Sequence, residues 1–378
     1  MRIAMLQHTF NPTTIGWVRG LEARGHEVVT VIADASEPYG GWPDDLQVRL
    51  VPDSDGILAR VARGLLPGRK GAVSALPRVR EMRRTLMDLD PDAVIVKLYS
   101  LRNVIALLIA LMLRISRVAW IEQTAPPNLE WRVLRHVGLV PRALFVTNDR
   151  RPGGLAEPLD PPDGGFPVIT YAPVIPGPSK RATLNGRPLR ILTVASFWDA
   201  PVKRPFWTLE AAREAALLDG TCTFTFVGVG KRPGTPGDPR KHVSQQRISE
   251  LTEELNIQHL VEVRVNIPYR EMPAFYAGHD LLVLPSFREQ FGMVVPEAMA
   301  HGLAVVASDR VGSRGCIVPG VTGQLFVTDD RDDLARVLRE LAGDPETIAR
   351  MGREGRAFVE RHASPDRTAG MLEALIGR

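Results

Sequence analysis

Cysteine is nearly absent from this chain of 378 residues, which contains only Cys222 and Cys316. They lie far apart, form no CxxC pair, and have no histidines at the spacing typical of a zinc site. The sequence therefore argues against both a disulfide-stapled secreted domain and a structural zinc site. We interpret both cysteines as reduced structural residues and expect a cytoplasmic protein.

Long hydrophobic runs are also missing. The best membrane-span candidate, VIALLIALML at 104–113, has 10 residues, whereas a bilayer-spanning helix needs about 20. We therefore predict a buried helix there. The first residues, MRIAMLQHTFNP, carry one arginine and an apolar stretch too short for a signal peptide.

Excess charge is small, because 47 Lys and Arg face 43 Asp and Glu, for a net charge of +4. This mild basicity suits anionic small molecules or an anionic surface but falls short of a nucleic-acid binder, so no nucleic-acid partner is expected. Hydrophobic residues make up 44% of the chain, enough for a sizeable core. The length predicts two domains.

Short apolar strands alternate with helical stretches in both halves of the chain. In the first half the strands are RIAMLQ, HEVVTVIA, QVRLVP, DAVIVKLY, RVAWIEQ and ALFVTND, and a loop, HTFNPTT, follows the first. Residues 151–190 are dense in Pro and Gly, so a domain boundary is expected near 173–188. The alternation restarts at RILTVASF and predicts a second parallel α/β sheet.

Two glutamates stand eight positions apart in REQFGMVVPEAMAHGLAVVAS, residues 288–308. Glu289 comes just after the predicted strand DLLVLPS, at the edge of an open parallel sheet where ligands bind. Glu297 lies in the helix that follows, about two turns on if both were helical, and its carboxylate is an acceptor suited to ring hydroxyls. The alternative is an ordinary strand–turn–helix with two solvated glutamates, since this spacing alone is a weak motif.

The surrounding residues carry a family resemblance. PSFREQFGMVVPEAMAHGLAVVAS resembles the donor-binding signature of the family 4 retaining glycosyltransferases, which have the GT-B fold. FVGVG, MPAFYAGHDLLVLPS and PGVTGQLF resemble other turns and elements of that family, so the likeness covers nearly all of residues 185–365 and is looser over 1–180.

The resemblance implies an α/β protein with two tandem Rossmann-like domains and a cleft between them. Residues 1–178 would form the acceptor-binding domain, 179–362 the domain for a nucleotide-sugar donor, and 363–378 a helix crossing back to the N-terminal domain.

The resemblance also assigns donor-site roles. Glu289 would bind donor-sugar hydroxyls, Glu297 the ribose, and Lys203 the diphosphate, whose charge grows as the sugar bond breaks. An ordinary surface lysine is the alternative for Lys203. The whole donor-binding set is Lys203, Arg204, Gly228, Gly230, Glu289, Phe291, Gly292, Met293 and Glu297.

One departure concerns the second phosphate-binding cation. The family's Gly-Arg pair before the lysine is replaced by Ser196-Phe197. Arg204 and Arg314 are the candidates to replace that arginine.

The acceptor side is less well defined. Thr13, Thr14 and Gly16 follow the first strand, and Gln123 follows a later one. His8, also at the sheet edge, is a candidate to orient the acceptor hydroxyl and is grouped with Glu289 and Lys203 as catalytic, although a lone histidine is more often structural. No metal ion and no cofactor are expected besides the nucleotide sugar as co-substrate.

Residues 60–84 form a basic, partly apolar segment with eight Lys and Arg against Glu81 alone. Three interpretations stay open: peripheral contact with an anionic membrane, an ordinary solvated helix, or a site for an anionic acceptor.

The sequence thus predicts a retaining, metal-independent glycosyltransferase that moves a sugar from a nucleoside-diphosphate sugar to an acceptor hydroxyl. The acceptor class stays open among a sugar, a lipid-linked sugar and a small molecule. The competing hypotheses are a binding module that keeps the donor site, and another kind of enzyme on the same scaffold, such as a coupling enzyme. A pyridoxal-dependent phosphorylase would need a much longer chain.

Overall fold

The computed structural model describes residues 1–7, 12–33, 45–54, 77–98, 101–122, 143–145, 168–169, 172–177, 186–197, 200–229, 243–289 and 291–377. His8, Gln123, Gly230, the side chain of Thr13 and residues 60–76 of the basic segment lie outside this description.

The N-terminal sheet is fully parallel, with strand order β3-β2-β1-β4-β5-β6-β7. Its strands are β1 Arg2–Leu6, β2 Glu27–Ile32, β3 Gln47–Leu50, β4 Ala93–Leu98, β5 Arg117–Glu122, β6 Ala143–Phe145 and β7 Val168–Ile169. The six strands predicted from the sequence are confirmed. β7 was missed, because a two-residue edge strand within a Pro/Gly-rich stretch leaves no periodicity to detect.

The described helices of the N-terminal half are α1 Pro12–Ala23, α2 Val79–Leu89 and α3 Leu101–Met112. The prediction of a loop through Thr14 was wrong, because α1 already begins at Pro12. Proline is well suited to a first helical turn, where its missing N–H leaves no bond unmade.

The C-terminal sheet is also parallel, with order β10-β9-β8-β11-β12-β13. Its strands are β8 Leu189–Ser196, β9 Cys222–Val229, β10 Val261–Val265, β11 Leu281–Leu284, β12 Ala304–Ser308 and β13 Gln324–Phe326. PGVTGQLF resembles a turn of the family, and in the structure its last three residues form β13.

Helices connect and cover these strands. They are α4 Ala200–Lys203, α5 Trp207–Glu214, α6 Val243–Glu254, α7 Met272–Gly278, α8 Val294–Ala300, α9 Arg331–Ala342 and α10 Pro345–His362. α5 starts only at Trp207, because Arg204 has a left-handed φ of 45° and Pro205 follows it. α9 and α10 are separate helices, and the Asp344 side chain caps α10 by accepting a bond from the Thr347 N–H at 3.0 Å.

The last helix, α11 Pro365–Ile376, lies against α1 of the N-terminal domain. Ser364 caps this helix, since its Oγ accepts a bond from the Arg367 N–H at 3.2 Å. Arg24 reaches across to Asp366 and Glu373 at 2.9 and 2.8 Å. The helix therefore joins the chain's end to its first helix.

Gly20 makes the close approach of α1 and α11 possible, because a Cβ there would lie 2.1 Å from the Pro365 carbonyl oxygen. We expect Gly20→Ala to lower the free energy of unfolding by about 1 to 3 kcal/mol, as overpacking does. Denaturant unfolding measures this. Gly278→Ala is the control, since no atom lies within 4 Å of its Cβ, and equal losses in both variants would contradict the packing argument.

In each sheet the chain first adds strands on one side of the first strand. It then crosses over and adds the next strand on the other side. These topological switch points lie between β1 and β4 and between β8 and β11. In open parallel sheets the crevice at the carboxyl ends of such strands is where ligands bind. The fold therefore offers two candidate crevices, one in each domain.

The helix predicted as buried over 104–113 is only half buried. Leu107, Ile109 and Ala110 lie in the core, but Leu108 is 41% and Met112 71% exposed. In the described part of the chain, no helix combines the length and the apolarity that crossing a bilayer requires.

Candidate active site

Lys203 and Glu289 meet at the switch point of the C-terminal sheet. Lys203 ends α4, shortly after β8, and Glu289 follows β11. The Lys203 ammonium forms a short ion pair with Oε2 of Glu289, and each side chain is 18% exposed. The Phe287 N–H donates to the Val202 carbonyl at 2.7 Å, which fixes the two segments together.

The turn after Glu289 depends on Gly292, which has a left-handed φ of 87°. A Cβ at this position would lie 3.0 Å from Cγ of Glu289 and 3.1 Å from Oγ of Ser313. Glu289 itself is extended and forms a bridge with Val311, so the helical estimate of its spacing from Glu297 was wrong. Glycine is needed here for both conformation and space.

Backbone donors are available at this turn. No carbonyl among the described residues accepts a bond from the backbone N–H of Gly292 or Met293. The neighbouring Phe291 is buried, and its carbonyl accepts from the Ser313 N–H at 2.6 Å. Rigid packing below the turn therefore leaves two N–H groups able to bind an anion or a hydroxyl.

Glu297 is buried in the first turn of α8. Its Oε1 accepts a hydrogen bond from the Tyr269 hydroxyl at 3.0 Å, and its Oε2 accepts one from Tyr276 at 2.7 Å. Burial raises the pKa of Glu297 to about 7, against the lowering effect of both tyrosine bonds. The two hydrogen bonds thus fix the carboxylate in position, while burial makes its ionised form less favourable than in water.

Sequence analysis missed these two tyrosines. Both lie in YREMPAFYAGHD, just before β11, in the stretch that precedes the glutamates. A buried carboxylate needs hydrogen-bond donors, and this requirement is the signal that would have pointed to nearby hydroxyls.

Phe197 occupies the position where the family resemblance expects an arginine. Its side chain is 1% exposed and belongs to the core of the C-terminal domain. Its ring atoms lie 2.5 Å from the place where a Cβ on Gly228 would stand. This position therefore supplies no cation, and Gly228 serves to make room for the ring.

We expect Gly228→Ala to destabilise the protein by about 1 to 3 kcal/mol, because the new methyl group collides with Phe197. In a Phe197→Val background the same change should cost much less, since the smaller side chain leaves room. A double-mutant cycle by denaturant unfolding measures the coupling. Additive effects of the two changes would contradict this account.

Arg204 and Arg314, the candidates for the second cation, both have protein partners. Nη1 of Arg204 lies 2.5 Å from Oδ1 of Asp329, and its guanidinium lies 4.6 Å from the centre of the Trp207 ring. Arg314 donates to the carbonyl of Asp309. Arg204 is the more firmly held of the two, because an ion pair and ring stacking fix it together.

Two of the acceptor-side candidates, Thr14 and Gly16, lie in the described part of α1, the helix that follows β1. Thr14 is buried and accepts a bond from Nε2 of Gln7 at 3.3 Å. Gly16 is a packing residue in the structure, since a Cβ there would lie 2.0 Å from the Ala172 carbonyl oxygen. Lys97, near the end of β4, was not singled out from the sequence; burial lowers its pKa to about 7.

Metal ligands do not gather in the described ranges, where no group of three or more His, Cys, Asp or Glu side chains could hold an ion.

A family model resembles much of the second half of the chain. Residues 179–358 match the family model "Glycosyl transferases group 1". A D-inositol 3-phosphate glycosyltransferase of Streptomyces avermitilis is 34% identical over 113 residues, 30% of this chain and 24% of the relative. One of Nocardia farcinica is 30% identical over 174 residues, 46% and 38% of the two chains. This chain thus spans well under half the length of these curated relatives.

Solved structures resemble the whole chain. The crystal structure of Anabaena HepE with UDP and glucose superposes with a TM-score of 0.68 over 100% of this chain and 99% of its own, at 13% identity. Such a likeness establishes the fold. The predicted architecture is confirmed: two parallel-sheet Rossmann-like domains in the GT-B arrangement.

Proposed function

We propose that this protein is a glycosyltransferase that moves a sugar from a nucleoside-diphosphate sugar to an acceptor hydroxyl, with retention at the anomeric carbon. The observation that carries the proposal is the Lys203–Glu289 ion pair at the carboxyl edge of the donor-domain sheet. The match of residues 179–358 to the glycosyl transferases group 1 model supports it.

The ion pair is suited to exchange its internal partners for a donor. A diphosphate is a strong partner for the Lys203 ammonium, and sugar hydroxyls can donate to the Glu289 carboxylate. Each half of the pair therefore gains a replacement contact when the donor enters. The N–H groups of Gly292 and Met293 add uncharged donors beside them.

Glu297 would bind the ribose of the nucleotide. Its two tyrosine bonds hold the carboxylate in one orientation, so little conformational entropy is lost when hydroxyls bind. The nucleobase would lie near Val265–Pro268, at the end of β10.

The charge that develops on the departing diphosphate sets the main catalytic demand. Lys203 would offset that charge, with Arg314 or Arg204 as further cations. The departing phosphate oxygen would take the proton of the attacking hydroxyl on the same face of the sugar, so no side-chain base is required. We propose that the reaction uses neither a metal ion nor a cofactor beyond the nucleotide sugar.

UDP is the first nucleotide to test, because HepE was crystallised with UDP and with UDP-glucose. The relatives named D-inositol 3-phosphate glycosyltransferases make phosphorylated polyols a first acceptor class to test, beside sugars and lipid-linked sugars.

Thermal shift with UDP, GDP, ADP and their glucose conjugates tests the donor site. A ligand that binds the folded state alone raises the melting temperature, and the rise grows with the logarithm of the ratio of its concentration to its dissociation constant. We expect a selective rise with one nucleotide in the wild type and its loss in Glu297→Ala. A melting temperature unmoved by every nucleotide would refute the donor site.

A binding module that keeps the nucleotide site is the second candidate, favoured by the buried Phe197 in place of the family arginine. Release of free nucleoside diphosphate from the nucleotide sugar, with and without added acceptors, separates the two. Selective nucleotide binding without turnover for any acceptor would favour the binding module.

The basic segment would provide a peripheral membrane contact. Of residues 60–84 the structure describes 77–84, where Arg80, Arg83 and Arg84 are exposed on α2. Anionic lipid headgroups are suitable partners for such a row of arginines.

A further inference from the structure

Helix α3 reverses the usual pattern of a surface helix, because its polar side chains are buried and several of its apolar side chains are exposed. Its two polar residues point inward: Arg102 and Asn103 are 0% and 1% exposed. Arg102 pairs with Asp53 at 2.7 Å and donates to the Val51 carbonyl at 2.6 Å. Asn103 donates to the carbonyl of Lys97.

The outer face of α3 carries apolar side chains instead. Leu108 and Met112 are exposed, and three further side chains of the same face are part-exposed: Val104, Ile105 and Leu111. The sequence from Val104 to Leu113 contains no charged or polar residue. A surface helix normally presents polar residues to water, so a continuous apolar face of this kind marks an interaction site.

Helix α2 provides positive charge beside this face. Met82 and Leu86 of α2 share a core cluster with Ala106 and Ile109 of α3, so both helices cover the same face of the N-terminal sheet. The outer side of α2 carries three exposed arginines against one exposed acid, Asp88, and two exposed apolar side chains: Arg80, Arg83, Arg84, Val79 and Met87.

We propose that the outer faces of α2 and α3 together form a docking surface for an anionic lipid bilayer, with the apolar stripe of α3 entering the headgroup region and the α2 arginines binding the headgroups. We name it the α2–α3 surface. An apolar face next to cationic side chains is the composition of interfacial, non-spanning membrane contacts. Buried apolar area and charge attraction then act together.

Charge decides between a lipid surface and a second copy of this chain. A symmetric dimer through the α2–α3 surface would bring the arginines of both copies together, and like charges in an interface are unfavourable. Anionic lipid offers the opposite charge to every one of them. The lipid is therefore the occupant that fits both parts of the surface.

The location of α3 relates this surface to the proposed acceptor side. α3 starts just after β4, whose carboxyl end borders the N-terminal switch point. Docking would place the domain that carries this crevice on the bilayer, which suits an acceptor held in or at a membrane. This last step rests on the proposed function, whereas the docking itself does not.

Vesicle sedimentation of the full-length protein tests the inference. The probes are vesicles of phosphatidylcholine alone and vesicles with about 30 mol% phosphatidylglycerol. We expect the wild type to sediment with the anionic vesicles and to be released by salt. Leu108→Asp/Met112→Asp should lower the partition coefficient at least about tenfold, because it removes the apolar contact.

Matched variants separate the two components and control for folding. Arg80→Gln/Arg83→Gln/Arg84→Gln should lose the preference for anionic vesicles. Val321→Asp, which alters an exposed valine in the C-terminal domain, should bind as the wild type does. Melting temperatures and nucleotide-induced shifts, measured for every variant, report folding and the donor site independently.

The results have clear meanings. Wild type that stays in the supernatant with anionic vesicles, or an aspartate pair that binds as well as wild type, overturns the inference. Self-association that Met112→Asp abolishes, without vesicle binding, overturns it in favour of a second copy. Vesicle binding without any nucleotide shift would refute the proposed function and leave the docking surface standing.

Discussion

Lys203→Met should lower kcat/KM for glycosyl transfer by about 100- to 1000-fold, the effect of removing one preorganised group that stabilises developing charge. Two losses combine in this variant. Under the proposed mechanism the leaving diphosphate would lose its ammonium partner, and the carboxylate of Glu289, no longer neutralised, would lie beside the phosphates. Because the charge grows toward the transition state, most of the effect should appear in kcat. Steady-state kinetics with the nucleotide sugar identified by thermal shift measures it.

Arg288→Met is the matched control, since it removes an exposed cation directly beside Glu289 in sequence. We expect its kcat/KM to stay within about threefold of wild type, as an exposed charge is screened by solvent. Equal losses in the two variants would show that the general positive field matters and that the Lys203 position does not.

Protein stability should fall as the pH rises because of Glu297. Burial raises the pKa of Glu297 to about 7 in the folded protein from an ordinary value of 4.5. The folded state therefore keeps a proton that the unfolded chain has already lost, so this contribution is complete below pH 4.5 and is lost as the pH rises through 7. The expected loss between about pH 5 and about pH 8 is about 2 to 3 kcal/mol.

Glu297→Gln removes this titration, and its free energy of unfolding should vary less with pH than that of the wild type by about the same 2 to 3 kcal/mol. Denaturant unfolding at both pH values gives the comparison. Glu354→Gln, which changes an exposed glutamate of α10, should follow the wild type. A wild-type profile parallel to that of Glu297→Gln would show that the buried carboxylate does not control this dependence.

The donor side was largely predictable because its residues are close in sequence. Glu289, Gly292 and Glu297 belong to one strand–turn–helix unit, and such units fold locally according to glycine, helix and strand preferences. The roles assigned to them remain predictions. The acceptor side was less accessible, since its residues come from segments far apart in the chain and their positions depend on the packing of α1, β1 and β4.

The buried groups illustrate what sequence patterns leave out. In the sequence, Phe197 stands where the family resemblance expects an arginine. Only the structure shows that its ring fills the space over Gly228. Tyr269, in the short turn before α7, and Tyr276, in α7, become partners of Glu297 only when these segments pack beside α8. Hydrogen bonds between side chains on different elements carry no periodic signal, so no window of sequence contains them.

Strand–helix alternation by itself determined the two parallel sheets and the class of fold, and the glutamate turn determined where the candidate donor site was proposed. The tertiary structure alone decided which side of α3 faces water. The run from Val104 to Leu113 is uniformly apolar, so periodicity could not orient it and a buried helix was expected. Arg102 and Asn103 fix the orientation of α3, because their hydrogen bonds to Asp53, Val51 and Lys97 direct the polar end of the helix into the protein. Leu108 and Met112 are left outside as a consequence.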